Sequence, residues 1–256
     1  MNTVGKYFSI LGDSISTFQD VSAGEAAGKS NSTIHDNAVY YAPGVWGVMR
    51  EDTWWQQAID RLGLRLLVNN SWSGSCILNP RSGAAGTYAD RCVQLHADVG
   101  EHAGQNPDLI AVFMGTNDFS FFGNTIGTAS AIDYDALIRK QADGGYLYAE
   151  PTTSCEAYAV MLHKIRTRYP DASVYCMNLL PRREQNDRNL GQPAEFNRNL
   201  AEIVLHFGCR TVDLFDSGIS AECEAYDRLF PCGGVHPNAL GMDVITDCFV
   251  CAVSED

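Results

Sequence analysis

The chain is poor in positive charge: 18 Lys and Arg stand against 31 Asp and Glu, a formal balance of −13 over 256 residues. Nucleic acids and anionic membranes demand a basic patch to neutralise phosphates, so neither is expected as a partner. No apolar run approaches the roughly 18 residues that cross a bilayer. The polar start, from Met1 to Lys6, has no basic stretch leading into an apolar one, so no secretory signal is expected. Nine cysteines are an odd number without repeated close spacing, which argues against a disulfide framework or a zinc site. Reduced, buried thiols and a cytosolic setting are expected, with a secreted one the alternative if a leader has been removed. The pair in Cys248-Phe249-Val250-Cys251 sits among apolar residues and reads as core thiols, and the six histidines include no His-x-x-x-His pair, so neither a metal nor another cofactor is implied. Residues 23–30 match a relaxed phosphate-loop pattern, but no buried strand precedes them and no helical pattern follows.

What is present is enough apolar material, 45% of residues, for one full core spanning 1–256. Five short apolar runs, at 7–11, 66–69, 109–114, 174–178 and 210–214, predict strands. They alternate with helical patterns at 52–62, 88–99, 155–169, 194–207 and 237–252, the last opening on Pro237; Thr53 or Asp52 suits the cap of the first. That alternation predicts an α/β domain with a mainly parallel sheet. Three connections, 16–51, 119–154 and 179–193, are long, and each follows a strand's carboxyl end, the edge where open parallel sheets bind ligands.

Four segments at that edge carry chemistry. The first strand runs into Gly12-Asp13-Ser14-Ile15-Ser16, where a serine after a tight turn either projects a nucleophilic hydroxyl or serves as a turn or cap. The second runs into Asn69-Asn70-Ser71-Trp72-Ser73-Gly74-Ser75, where Gly74 lets a backbone N–H approach a bound oxygen. The third ends in Gly115-Thr116-Asn117-Asp118, offering an amide donor, and Gly233-Gly234-Val235-His236-Pro237 places a histidine before the last helix. In a parallel sheet these points converge, so a nucleophile, a base and two oxyanion donors would share one edge. Aromatic residues gather nearby: Tyr40, Tyr41, Trp46, Trp54 and Trp55 in and after the first long loop, and Phe119, Phe121 and Phe122 after Asn117. Of these, Trp46, Trp54, Phe119 and Phe121 are candidate pocket walls. Arg81, Asp90 and Arg91 suit mutual pairing or a helix cap.

The ordered set resembles the SGNH hydrolases, also called the GDSL family, over most of the chain from Gly12 to Gly241. The resemblance implies a three-layer α/β/α sandwich, flavodoxin-like, with strand order 2-1-3-4-5. It implies Ser14 as nucleophile, His236 as general base, and Gly74 and Asn117 with the Ser14 N–H as the oxyanion hole. The implied activity is that of a serine esterase on small or carbohydrate-borne, acetyl-type esters. An acyltransferase, a lipase or lysophospholipase, and a non-enzymatic binding module of the same fold are the alternatives. One position departs from the pattern: the family's acid usually stands three residues before the histidine, and here that residue is Gly233. Either Ser14 and His236 form a dyad, with a backbone carbonyl near Gly233 accepting the Nδ1 proton, or an acid comes from elsewhere, Asp213, Asp216 and Asp227 being nearest in sequence.

Overall fold

The computed structural model describes residues 2–19, 21, 39–78, 87–120, 124–182, 193–220, 224–231 and 233–255. In chain order its elements are β1 (Tyr7–Gly12), α1 (Trp54–Leu62), β2 (Arg65–Ser71), β3 (Leu109–Phe113), α2 (Thr116–Ser120), α3 (Tyr134–Leu137), β4 (Ile138–Lys140), β5 (Tyr146–Tyr148), α4 (Ser154–Arg168), β6 (Ser173–Met177), α5 (Pro193–His206), β7 (Arg210–Val212), α6 (Glu224–Leu229) and α7 (Ala239–Ser254). Every neighbouring pair in the five-stranded sheet β2-β1-β3-β6-β7 is parallel. This is the expected order; only the numbering changes, because the antiparallel pair β4–β5 lies outside the sheet.

Strand alternation splits the core into two layers. Ile110 and Val112 of β3 pack with Ala157, Met161 and Ile165 of α4 and Phe196, Leu200 and Ile203 of α5. Ala111 and Phe113 face the other way, toward Trp54 and Ala58 of α1 and Met242, Ile245 and Phe249 of α7. Thr53 caps α1 by accepting from the Gln56 N–H at 3.3 Å, and Gly63 ends the helix in the left-handed conformation. Trp54 is wholly buried against Phe8, Phe113 and Phe249, so it is a core residue and not a pocket wall.

Several expectations need correction. Residues 88–99 form no α-helix, only the 3₁₀ turn Arg91–Val93. Cys92 and Leu95 are buried as the apolar spacing implied, but other groups claim the backbone carbonyls. Lys164 donates to the Tyr88 and Ala89 carbonyls, Asn70 to those of Arg91 and Gln94, the Tyr169 hydroxyl to Val93, and the Ser9 hydroxyl to Leu95. The last helix starts at Ala239, with Asn238 rather than Pro237 shaping its entry: the Asn238 side chain accepts from the Gly241 N–H at 3.1 Å. The connection 119–154 contains α3 and the β4–β5 hairpin, whose three-residue strands are too short to show a period. Of the seven cysteines in the described residues, all free, five are buried, but Cys248 is half-buried and Cys251 exposed, so the last helix does not turn both into the core. The phosphate-loop match at 23–30 lies outside the described residues. No helix among them is long and apolar enough to cross a membrane.

Gly12 closes β1 where space is tightest: an added Cβ would lie 2.6 Å from the Ser71 hydroxyl and 2.7 Å from the Ser16 Cβ. Gly12→Ala is therefore expected to lower unfolding free energy by about 1–3 kcal/mol, the usual cost of overpacking, measured by urea denaturation.

Candidate active site

The edge is assembled by strands that finish in step. Gly12 is level with Ser71 of β2 and Phe113 of β3, so the chain leaves all three strands side by side. From β1 it enters the 3₁₀ turn Ser14–Ser16, which Asp13 caps through a 3.0 Å hydrogen bond from the Ile15 N–H. From β2 it enters a turn in which the Ser75 N–H donates to the Trp72 carbonyl at 3.1 Å and Gly74 takes φ +71°. The Trp72 N–H reaches back to the Gly12 carbonyl at 3.2 Å, fixing the Gly74 turn beside the Ser14 turn. From β3 the chain enters α2, where the Asn117 amide donates to the Ser75 carbonyl at 2.9 Å.

The fourth segment closes the set. His236 Nε2 lies 2.8 Å from Ser14 Oγ, although 222 positions separate the two residues. The His236 ring is held against Tyr40, face to face at 3.8 Å between centroids, and edge-on to Tyr41. Tyr226 holds the loop leading to it, its hydroxyl 2.6 Å from the Gly234 carbonyl and 2.7 Å from that of Pro181. Burial, and then the positive charge of Arg182, push the His236 pKa down to about 4, so the imidazole is neutral at pH 7. A hydroxyl hydrogen-bonded to a neutral imidazole, beside a glycine turn and a side-chain amide, supplies the parts that acyl transfer would use.

A family model for the GDSL-like lipase/acylhydrolase matches residues 6–216. The chain belongs to this family. Among solved structures, a protein described as a GDSL-like lipase from Bacteroides ovatus is 24% identical, aligned over 99% of this chain and 100% of its own, with a TM-score of 0.65. One with the same description from Bacteroides uniformis is 25% identical over 98% and 97% of the two chains, TM-score 0.60. A carbohydrate esterase family 2 enzyme with a carbohydrate-binding domain, from Corynascus thermopiles (Myceliophthora fergusii), is 16% identical over 100% of this chain and 67% of its own, TM-score 0.56. No curated protein sequence matches the chain.

In this GDSL-like hydrolase the position of the usual acid has its own conformation: Gly233 and Gly234 both have positive φ, +61° and +67°. The Asp213 carboxylate accepts from the Asn178 amide and the Phe215 and Asp216 N–H groups at 2.8–3.1 Å, while Asp216 and Asp227 are exposed. A carboxylate on the imidazole would raise its pKa, opposite to the shift found. Trp46 is 44% exposed and donates to the Tyr40 hydroxyl at 3.0 Å, so it belongs to the rim of the site. Phe119 is buried and stacked on Phe196, contributing to the core rather than a wall. Phe121 lies outside the described residues. Among those residues, no group of three or more His, Cys, Asp or Glu is arranged around a metal position.

Three buried charged residues, Arg91, Asp13 and Asp118, support the edge. Arg91, buried to 3% exposure, is not the surface pair or cap its neighbours suggested: its Nη2 is 3.1 Å from the Gly12 carbonyl, 3.3 Å from Ser75 Oγ and 3.3 Å from Thr87 Oγ1. Its guanidinium faces the Trp72 ring at 5.0 Å, and burial lowers its pKa to about 10, which still leaves it charged. Asp13 is pushed up to about 6, chiefly by burial, against the Ile15 N–H, the Thr116 side chain and the charges of Arg182 and Arg91. Asp118 is wholly buried and accepts from the Ile77 and Leu78 N–H groups at 2.7 and 3.0 Å, clamping the strand exit that carries Gly74. Asp118 stood in the Asn117 motif, so its burial was within reach of the sequence; nothing in the sequence around Arg91 pointed to the Gly12 carbonyl.

Replacing Asp118 by Ala strands two buried N–H donors. A loss of about 2–5 kcal/mol in unfolding free energy is expected, measured by chemical denaturation, whereas an exposed carboxylate would cost less than about 0.5 kcal/mol.

Proposed function

We propose that this GDSL-like hydrolase is a serine esterase acting on small or carbohydrate-borne esters of acetyl size. The observation that carries the reading is the 2.8 Å bond between Ser14 and a neutral His236 at the edge where the Gly74 turn and Asn117 converge. His236 Nε2 takes the Ser14 proton as Oγ attacks the ester carbonyl. The tetrahedral oxyanion lies among the N–H groups of Ser14 and Gly74 and the Asn117 amide, which has a second proton besides the one given to Ser75. The imidazolium then protonates the departing alcohol, and water repeats the sequence to release the acid from Ser14. The orienting group on Nδ1 is assigned to the backbone of the 233–235 turn, making the site a dyad. Exposed Trp46 and the half-buried Tyr40 beside the base favour a ring-bearing alcohol such as a sugar, and the charge of −13 favours a neutral one.

Hydrolysis of p-nitrophenyl acetate and of longer p-nitrophenyl esters is the direct test. Ser14→Ala is expected to lose at least about a thousandfold in kcat while melting like the parent protein, and rates should fall as the acyl chain lengthens. Equal rates for the two proteins would overturn the assignment. Because the base works as neutral imidazole, activity should disappear as pH falls through the His236 pKa. The acid limb of kcat/KM is expected near pH 4, within about a unit, rather than near the ordinary 6.5; a limb near 6.5 would contradict a buried base beside Arg182.

A further inference from the structure

We infer that Tyr40 shares the task of the missing acid with the backbone of the 233–235 turn, its ring face holding the His236 imidazole in place and stabilising the imidazolium formed in the transition state. The inference rests on the serine-esterase reading. A triad carboxylate does two things: it fixes the imidazole in place and offsets the charge that appears when the serine proton arrives. In this chain Gly233 stands at the usual acid position, and Asp213 is occupied by Asn178 and its own turn.

Tyr40 is built to fix the ring. It stacks on His236 with centroids 3.8 Å apart and planes 10° apart, while Tyr41 meets the same imidazole edge-on at 6.4 Å. Both tyrosines are anchored to the catalytic loops. The Tyr40 N–H donates to Thr17 Oγ1 at 2.8 Å, and that hydroxyl donates to the Ser14 carbonyl at 2.9 Å. The Tyr40 hydroxyl accepts from Trp46 Nε1 at 3.0 Å, and Trp46 itself is held at φ +53°, a conformation rare for a bulky residue. The Tyr41 hydroxyl donates to the Pro237 carbonyl, next to His236, at 2.7 Å.

The same stack answers the charge. When Ser14 Oγ bonds to the substrate carbonyl carbon, its proton moves to Nε2 and the imidazole becomes a cation, until the proton passes to the leaving oxygen. A cation over an aromatic face is attracted to the ring quadrupole, most strongly where water is excluded. Among the described residues the charge acting on the imidazole is that of Arg182, five residues beyond β6, which is positive and opposes protonation, and the neighbouring Ser14 and Tyr41 are neutral.

Tyr40→Phe and Tyr40→Leu separate the ring from its hydroxyl and from simple cover. Tyr40→Phe is expected to keep kcat for p-nitrophenyl acetate within about threefold. Tyr40→Leu, which preserves an apolar cover, should lose about ten- to thirtyfold in kcat with KM changed less than about twofold. Its acid limb of kcat/KM should move to lower pH, since the imidazolium loses its partner. A ring that only excluded water would shift that limb upward toward 6.5 on removal, and that result would overturn the proposal. So would a Tyr40→Leu enzyme with unchanged kcat, or a Tyr40→Phe enzyme as impaired as the leucine variant. Melting curves of both variants confirm that folded proteins are compared. If Ser14→Ala abolishes turnover while Tyr40→Leu does not alter kcat, the esterase reading stands and only the role of Tyr40 fails; if Ser14→Ala is fully active, both fail.

Discussion

The site depends on the registration of β1 between β2 and β3. Gly12 pairs with Ser71 on one side and Phe113 on the other, so three strands end in one row. Side chains on a strand alternate between faces, and a slip of one residue in either pairing would exchange core and opposite positions along the whole strand. It would also carry the Gly74 turn or Asn117 away from Ser14. Burial of Phe8, Ile10, Leu109 and Ala111 therefore holds more than the core: the apolar pattern that sets the register also sets the geometry of the chemistry.

Around that row an otherwise acidic chain buries two arginines beside Asp13. Arg91 ties the Gly12 carbonyl to Ser75 and Thr87, and Arg182 sits where it opposes protonation of His236. Burying guanidinium groups is costly unless they are paired or hydrogen-bonded. Asp13 and the Gly12 carbonyl offset part of that cost for Arg91, whose Nε and Nη1 are buried without a hydrogen-bond partner, and Asp13 in turn caps the turn that presents Ser14. The result is a buried polar layer beside a neutral imidazole, in which Asp13 and each of the two arginines attract one another.

The sheet was legible because buried parallel strands are short continuous apolar runs, and all five fell close to their expected places. The four segments of the candidate site were legible because three are strand exits and the fourth is a glycine turn before the last helix, each with its own chemistry. The segment 88–99 misled for a physical reason: its apolar spacing was real, but a helix also needs its own carbonyls, and Lys164, Asn70, Tyr169 and Ser9 take them from afar. Side chains at such sequence distances leave no local mark. The partners of His236 were hidden in the same way: Tyr40 and Tyr41 could be noticed as aromatic, but nothing near them in sequence shows that they close on a ring almost two hundred positions away. Trp54 shows the converse, an aromatic that looked available for binding and proved to be the centre of a packing cluster.

The bond between Ser14 and His236 spans 222 positions, nearly the entire chain. During synthesis the serine, the glycine turn and the amide emerge first, and the imidazole comes only after β7 and α6. Contacts of such long range close late in folding, because the intervening loop entropy must be overcome before they contribute. In an unfinished chain Ser14 therefore lacks its His236 partner until the segment after α6 has been made.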